Sequence, residues 1–411
     1  MTDKPVNSCD VALIGGGLTT CMMAAVLRHC GYSVIWFSGT VTDKPEKKDN
    51  RTTTLHHAGM KMLEALGVWP ALAKDAWPLC EIFVKIERQH RENPIGRGQK
   101  DTSPWPLHFS SERPPMGYVV GNQQLKDALL PLTKNIPRYA RSITRLTLAS
   151  PCQLEDDKGQ KWQCDLVIAC DGPASAMRQQ AGLYAKDQAR GQTAIVTNIQ
   201  TSRAINHGAW QIFCAQGPLA LMATSSHQAS VVWTVSDRRA KELAVMDEDD
   251  FNIQLQASFG ASLGGLSVIS PRLKWPLRPV YVPKRVAPGF VLAGDAAHAL
   301  HPLAGMGYNL ALGDAAILLD CLQQAHKRGL PAGHLSVTEA YQKRRQIEIL
   351  ALTGTTQLLD RALSRPNGIV TMLGATGMAA IGKTALRHHI RDIAMGGKLS
   401  PAPLFSGKLS A

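Results

Sequence analysis

Asp10-Val11-Ala12-Leu13-Ile14 runs into Gly15-Gly16-Gly17 and on into Leu18-Thr19-Thr20-Cys21-Met22-Met23-Ala24-Ala25-Val26-Leu27. A short apolar run closed by glycine reads as a buried parallel strand followed by a turn. From Leu18 to His29 the chain carries Ala, Met and Leu at helical density, with Gly31 placed as a C-terminal stop. Ser33-Val34-Ile35-Trp36-Phe37 then reads as a second strand, so the chain opens on a βαβ unit. A strand that stops at Gly15-x-Gly17 and starts a helix collects free backbone N–H groups and the positive helix end at one point. A pyrophosphate fits there, because only glycine lets the backbone come close. Two departures weaken this fingerprint: Thr20 holds the third position, usually Gly or Ala, and Ser38 stands where an acid for a ribose hydroxyl is expected. Alone, the motif competes with a plain strand-to-helix turn.

Outward from this unit, the pattern predicts a helix within residues 50–68, with Met60, Leu63, Leu66 and Val68 on its apolar side. Residues 80–115, rich in Pro, Arg and aromatics, read as strands and loops of another layer. Gln123–Leu132 reads as a helix and Trp162–Ala169 as a buried strand. Between 191 and 279 come short β-type runs separated by polar turns: Ala194 onward, Trp210–Phe213, Leu219–Met222 and Ser230–Val235. They predict an antiparallel sheet inserted into the first unit. Gly260, Gly264 and Gly265 follow no strand and read as a turn. Gly289–Ala293 returns to a buried strand, Leu310–Ala325 is helical, and so is the chain from His334 on. The tail after Gly396 reads as loose.

The 411 residues suit two to three domains at about 150 residues each. With 45% apolar and 19% charged residues, wholesale disorder is excluded. No long uncharged apolar run suggests a transmembrane helix, and Met1–Asp10 does not resemble a secretory leader. Nine cysteines without a CxxC pair point to reduced thiols in a cytoplasmic protein, with a Cys164–Cys170 disulfide as the alternative. The net charge is +13, and from Lys327 to Ala411 twelve Lys/Arg face four acids. That surface is either a solvated helical face or one that attracts polyanions, such as an anionic membrane leaflet. Nucleic acid is disfavoured, since no binding module accompanies the charge.

Two further strand-end signatures follow. Leu166-Val167-Ile168-Ala169-Cys170 ends in Asp171-Gly172, with Ser175 and Arg178 beyond; an acid there can approach a cofactor, although Asp-Gly is also an ordinary turn former. Val291-Leu292-Ala293 ends in Gly294-Asp295, followed by His298, His301-Pro302 and Gly305-Met306-Gly307-Tyr308-Asn309. The Asp295 carboxylate is free to accept hydrogen bonds from sugar or ribityl hydroxyls. A helix opening at Gly305–Gly307 offers an electropositive pocket for negative charge on a flavin ring. His298 and His301 invite a metal reading, but neither a HExxH nor a Cys/His cluster accompanies them, and a facial triad would need a carboxylate in place, so no metal is assigned. His56-His57 and His388-His389 read as surface pairs. Trp233 and Phe213 read as core residues before cavity-lining ones.

The order Gly-x-Gly, Asp-Gly, Gly-Asp resembles the FAD-dependent group A aromatic hydroxylases. Within them, GDAAHALHPLAGMGYNLALGDA (294–315) looks like the ubiquinone-biosynthesis flavin hydroxylases. Asp49-Asn50-Arg51, LEALGVW, GYVVGNQQL around Asn122, GPLALMAT from Gly217, VVWTVSDRR from Val231, Tyr341-x-x-x-Arg345 and the Gly396 region agree, so the likeness covers most of the chain. Besides Thr20 and Ser38, Met306 and Gln123 depart from the family pattern. The resemblance implies an α/β fold with a Rossmann-like FAD-binding domain, an inserted antiparallel-sheet substrate domain and a C-terminal helical region. The expected boundaries are 1–75, 116–185 and 280–330 for FAD, 76–115 and 186–279 for substrate, and 331–411 for the helical end. It implies a monooxygenase that hydroxylates a polyprenylated phenol through a flavin C4a-hydroperoxide, with O2 as co-substrate and NAD(P)H or another donor as reductant; the alternatives are a soluble aromatic-compound hydroxylase and, given Thr20, Ser38 and Met306, a catalytically degenerate accessory subunit of the ubiquinone-biosynthesis assembly. Expected cofactor contacts are Gly15, Gly17, Arg51, Asp171, Gly172, Gly294, Asp295, Pro302, Gly305, Gly307 and Asn309, with Pro302 bordering the substrate side of the ring. The chemistry requires no nucleophile, so no catalytic base is named. The uncharged stretch Asn367–Gly382, flanked by basic residues, reads either as a core hairpin or as a segment docking on the inner face of the cytoplasmic membrane. Other ubiquinone-biosynthesis proteins are expected partners.

Overall fold

The structure, a computed structural model, describes residues 7–39, 49–86, 105, 107–111, 113–187, 191–214, 216–299, 307–363 and 402–409, with side chains in the long final helix described to 350. Pro302, Gly305, Met306, His301, Asn367–Gly382, His388, His389 and Gly396 lie outside the described residues.

The opening unit folds as its pattern demands. Strand β1 (Asn7–Ile14) leads through the glycine turn into helix α1 (Leu18–Leu27) and returns as β2 (Val34–Phe37). Every residue of α1 from Thr20 to Leu27 is buried, because the helix lies between the sheet and later helices. Two distant segments complete the parallel core: β3 (Lys161–Ala169) pairs with β1, and β4 (Phe290–Leu292) pairs with β3. The register aligns Ile14 with Phe37 and Ala169, and Ala169 with Leu292. Four strand carboxyl ends therefore lie side by side. In a doubly wound sheet this edge is where ligands bind.

A second sheet is built around Gln192–Thr201, Gln228–Ser236, Gly217–Ala223 and Gly208–Cys214, which pair antiparallel in that order. Glu81–Ile86 joins it parallel to Gly208–Cys214, so residues from two separate stretches make one sheet. Its apolar face packs against Ala240, Leu243, Phe251, Leu255 and Phe259 of two covering helices. Beyond the crevice run two long helices, α2 (Gly307–Lys327) and α3 (Leu335–Leu363).

Several expectations are corrected. The segment expected to begin a helix at residue 50 is first a strand, Thr52–His56, paired antiparallel with Gly117–Gly121; the helix is His57–Ala65. Three consecutive threonines favour the extended backbone. His56 is not a surface residue but is 7% exposed, its Nδ1 accepting the Gly59 N–H at 2.7 Å to cap that helix. The tail is not loose throughout: Ala402, Leu404 and Phe405 are buried in the main core, with Phe405 edge-on to His56. None of the nine cysteines is in a disulfide. Cys164 and Cys170 lie along one run of chain, about 20 Å apart at 3.3 Å per residue, too far to bridge. Gly260, Gly264 and Gly265 form a turn, with Gly264 at φ +75°.

Candidate functional site

Above the aligned strand ends opens a crevice of about 860 Å³, within the ~300–1,000 Å³ typical of ligand sites. Gly15, Gly17, Ser38, Arg51, Asp171, Gly172, Asp295 and Gly307 all line it, though they span most of the sequence. Gly15 and Gly294 are required both by space and by a positive φ. Gly15 has φ +140°, and a Cβ on it would stand 2.5 Å from the Cys170 carbonyl oxygen, so it lets β1 and β3 end against each other. Gly294 has φ +60°, and its Cβ would meet the Thr19 methyl at 2.6 Å. The Gly-Asp corner and the first turn of α1 are thus in close approach. At Gly17 an added Cβ would touch nothing within 4 Å, so a side chain there would project into open space. The backbone N–H groups at the start of α1 stay uncovered. This cradle fits a pyrophosphate.

The acids differ in how free they are. Asp171 accepts from Ser175 Oγ and from the Met177 N–H at 3.1 Å, capping a short helix while lining the crevice. Arg178 binds this segment to the next by donating to the carbonyls of Ala296 and Pro173, both at 2.9 Å. Asp295 faces the crevice, and burial raises its carboxyl pKa. Arg51 is held by Asp49 through two bonds of 2.8 and 2.7 Å, and its guanidinium stacks 3.9 Å above the Trp275 ring. Burial would raise the Asp49 carboxyl, but its bonds to Arg51 hold it below the usual range. Arg51 therefore spans from the strand-end side of the crevice to the second sheet, on which Trp275 pairs with Ala194.

Not every expected contact reaches the crevice. Asn309 is buried and bridges Thr54 and His56 through bonds of 2.8 Å to the Thr54 carbonyl and 3.1 Å from the His56 N–H. It braces α2 against the strand Thr52–His56 instead. Gly294 shapes the corner from behind. Thr20 is fully buried, with Oγ1 2.6 Å from the position of a Gly15 Cβ. It packs beneath the turn and lies outside the crevice lining. Ser38 does line it, with its hydroxyl bonded to the Tyr139 carbonyl at 3.3 Å. Gln123 bonds Asp127 instead. Trp233 and Phe213 are buried and line no part of this crevice, as core packing demands. His298 is bound to Asp314, and no group of three metal-capable side chains exists among the described residues.

Sequence reasoning missed Arg141, Ser142 and the run Trp275–Pro279, which form other walls of the crevice. The prolines at 276 and 279 signal a break after a strand, but nothing local says that the break folds over the sheet edge.

The FAD binding domain family matches residues 144–348. Ubiquinone hydroxylase UbiL of Rhodospirillum rubrum is 29% identical, covering 98% of this chain and 93% of that one. The 3-demethoxyubiquinol 3-hydroxylase of Escherichia coli is 27% identical over 85% of this chain and 87% of its own. Human ubiquinone biosynthesis monooxygenase COQ6, mitochondrial, is 26% identical, with 90% and 89% covered. Among solved structures, p-nitrophenol 4-monooxygenase PnpA of Pseudomonas putida shares the fold at a TM-score of 0.72 and 15% identity, covering 96% of this chain and all of that one. PqsL of Pseudomonas aeruginosa does so at 0.73 and 18%, covering 90% and 100%.

Proposed function

This chain belongs to the family of FAD-dependent hydroxylases that includes the ubiquinone-biosynthesis enzymes, and on that premise we propose that it hydroxylates the ring of a polyprenylated phenol. The observation that carries the reading is the alignment of Ile14, Phe37, Ala169 and Leu292 at one sheet edge, beneath a crevice of flavin size. When bound, FAD supplies the electrons with which O2 is activated and one oxygen atom is passed to an aromatic carbon, after reduction by an external donor.

The protein's share is to bind, orient and exclude water. The start of α1 beside Gly15 and Gly17 receives the pyrophosphate. The Asp295 carboxyl oxygens accept from ribityl hydroxyls, and Asp171 and Gly172 border the same stretch. The start of α2 at Gly307 offers its positive end to the ring. By family position, Pro302 and Gly305 are further cofactor contacts. Arg51 and Trp275 wall the far side. Residues 1–75, 116–185 and 280–330 then make the cofactor domain, and 76–115 with 186–279 the substrate domain.

A polyprenylated substrate would be drawn from a membrane surface, and the basic C-terminal region supports a peripheral position on the inner face of the cytoplasmic membrane, beside other proteins of the pathway. Among the described residues no helix is long and apolar enough to cross a membrane. The test is to titrate the purified protein with FAD, supply a reductant and a short-chain prenylated phenol, and follow incorporation of oxygen from labelled O2. Product heavier by one labelled oxygen is expected. A protein that neither retains FAD nor takes it up overturns the reading.

A further inference from the structure

Behind the crevice lies a buried ionic cluster that touches no expected cofactor atom. Asp314, on α2, uses both oxygens: Oδ2 accepts from the Gly294 N–H at 2.8 Å and from His298 Nε2 at 2.6 Å, and Oδ1 accepts from Arg345 Nε at 2.7 Å. Arg345, on α3, also donates to the Leu310 carbonyl at 2.8 Å and to Glu348. Asp314 and Arg345 are both fully buried. Gly313 makes the room, since a Cβ there would stand 2.6 Å from Arg345 Nη1. One turn earlier on α3, Tyr341 donates to the Leu292 carbonyl at 3.0 Å. The i,i+4 spacing of Tyr341 and Arg345 thus sets two side chains of one helix face on the last residue of β4 and on the group that holds its corner.

Burial would raise the Asp314 carboxyl, but His298 and Arg345 beside it hold it far below the usual range. The proton of the His298 contact therefore resides on Nε2. A buried ion pair is weak ground for stability, because apolar side chains of equal volume often serve as well. An apolar side chain cannot, however, accept the Gly294 N–H. That N–H belongs to a residue at φ +60°, whose conformation decides where the next side chain, Asp295, is aimed.

We propose that Asp314 is a positioning residue for the cofactor: anchored by Arg345, it fixes the Gly294 corner from behind so that Asp295 is presented to the ribityl hydroxyls. The proposal rests on the crevice being the FAD site. It assigns a purpose to the acid of Gly313-Asp314-Ala315 and to Tyr341-x-x-x-Arg345, which otherwise lie outside the crevice.

The test is a double-mutant cycle on FAD affinity, read by flavin fluorescence and by visible circular dichroism of the bound flavin. Asp314→Asn, which keeps shape but removes charge, should weaken FAD at least tenfold and alter the dichroism, because the flavin is less firmly oriented. If Asp314 acts through Asp295, the double variant Asp314→Asn/Asp295→Asn should bind no more than threefold worse than Asp295→Asn alone. Multiplying effects, or an Asp314→Asn protein with parental affinity and dichroism, overturns the proposal. Should Asp314→Asn fail to fold, His298→Gln serves as the milder cut in the same cycle, with a threefold to tenfold loss expected and the same lack of additivity. A parent that takes no FAD, or an Asp295→Asn variant that binds it unchanged, refutes the crevice reading itself and removes the proposal with it.

Discussion

Lowering the pH from about 7.5 to about 5 should destabilise this protein, and His56 should account for a separable share of that loss. The residue ends the strand Thr52–His56, is 7% exposed, and caps the following helix as an acceptor through Nδ1. Phe405 of the C-terminal segment stands edge-on to its ring, with centroids 5.5 Å apart. Burial pushes its pKa down from 6.5 to about 4. A protonated imidazole has two N–H donors and no acceptor, so charging it both breaks the cap and buries a cation. Because the folded value lies below the unfolded one, the unfolded chain binds more protons between these two pH values, and stability falls as the pH drops through that window. Working the linkage at pH 5 gives a loss of ~2 kcal/mol relative to pH 7.5. Urea denaturation at both pH values, on the parent and on His56→Asn, isolates this contribution: asparagine caps a helix and does not titrate. The parent should lose about 2 kcal/mol more than the variant does. Equal losses in both proteins would refute the assignment of His56 as a neutral buried cap.

Gly17→Leu should leave the fold intact, to within ~0.5 kcal/mol by thermal melting, because a Cβ there meets nothing within 4 Å and the extended backbone, at φ −86°, suits any residue. It should abolish FAD uptake by filling the pyrophosphate cradle, and a variant that still turns yellow would place the phosphates elsewhere. Deleting residues 402–411 exposes the surface under Ala402, Leu404 and Phe405. At ~1.5–3 kcal/mol for each large buried side chain, less the ordering cost, a net loss of about 2–4 kcal/mol is expected, and an unchanged denaturation midpoint would show that the segment does not dock.

How much could be read beforehand follows from where the information lies. The parallel core was legible because each strand end carries its own local mark: Gly15-x-Gly17 and Gly294-Asp295 are turns required by close approach or helix start, and Asp171-Gly172 is a turn in which Gly172 takes φ +85°. Gly15 and Gly294 show why, since a Cβ at either would collide with a segment far away in sequence. The strand Thr52–His56 was not legible, because its partner Gly117–Gly121 is remote and the apolar spacing that follows it is helical. Phe405 was hidden by composition: Pro, Gly and Ser around it signal looseness, while Ala402, Leu404 and Phe405 suffice to anchor the segment against His56 and α2. Trp275 carried no mark at all, since an aromatic on an edge strand reads alike whether it faces solvent or a ligand crevice.

The departures from the family pattern are unequal for the same reason. Thr20 occupies a position that serves helix-to-strand packing, and threonine still packs there, fully buried beneath Gly15, and leaves the cradle open. Ser38 occupies a position that serves through a side-chain contact, and serine cannot supply a carboxylate to a ribose. Backbone-made parts of the site therefore survive substitution that side-chain-made parts do not. What remains at the flavin end is a single crevice-facing acid at the Gly294 corner, Asp295, and that corner is the one fixed by a buried charge from α2 and a guanidinium from α3. At the proposed flavin site, where the ribose end lacks its acid, rigid presentation of Asp295 would carry more of the binding, because a contact already held in place costs less entropy to make.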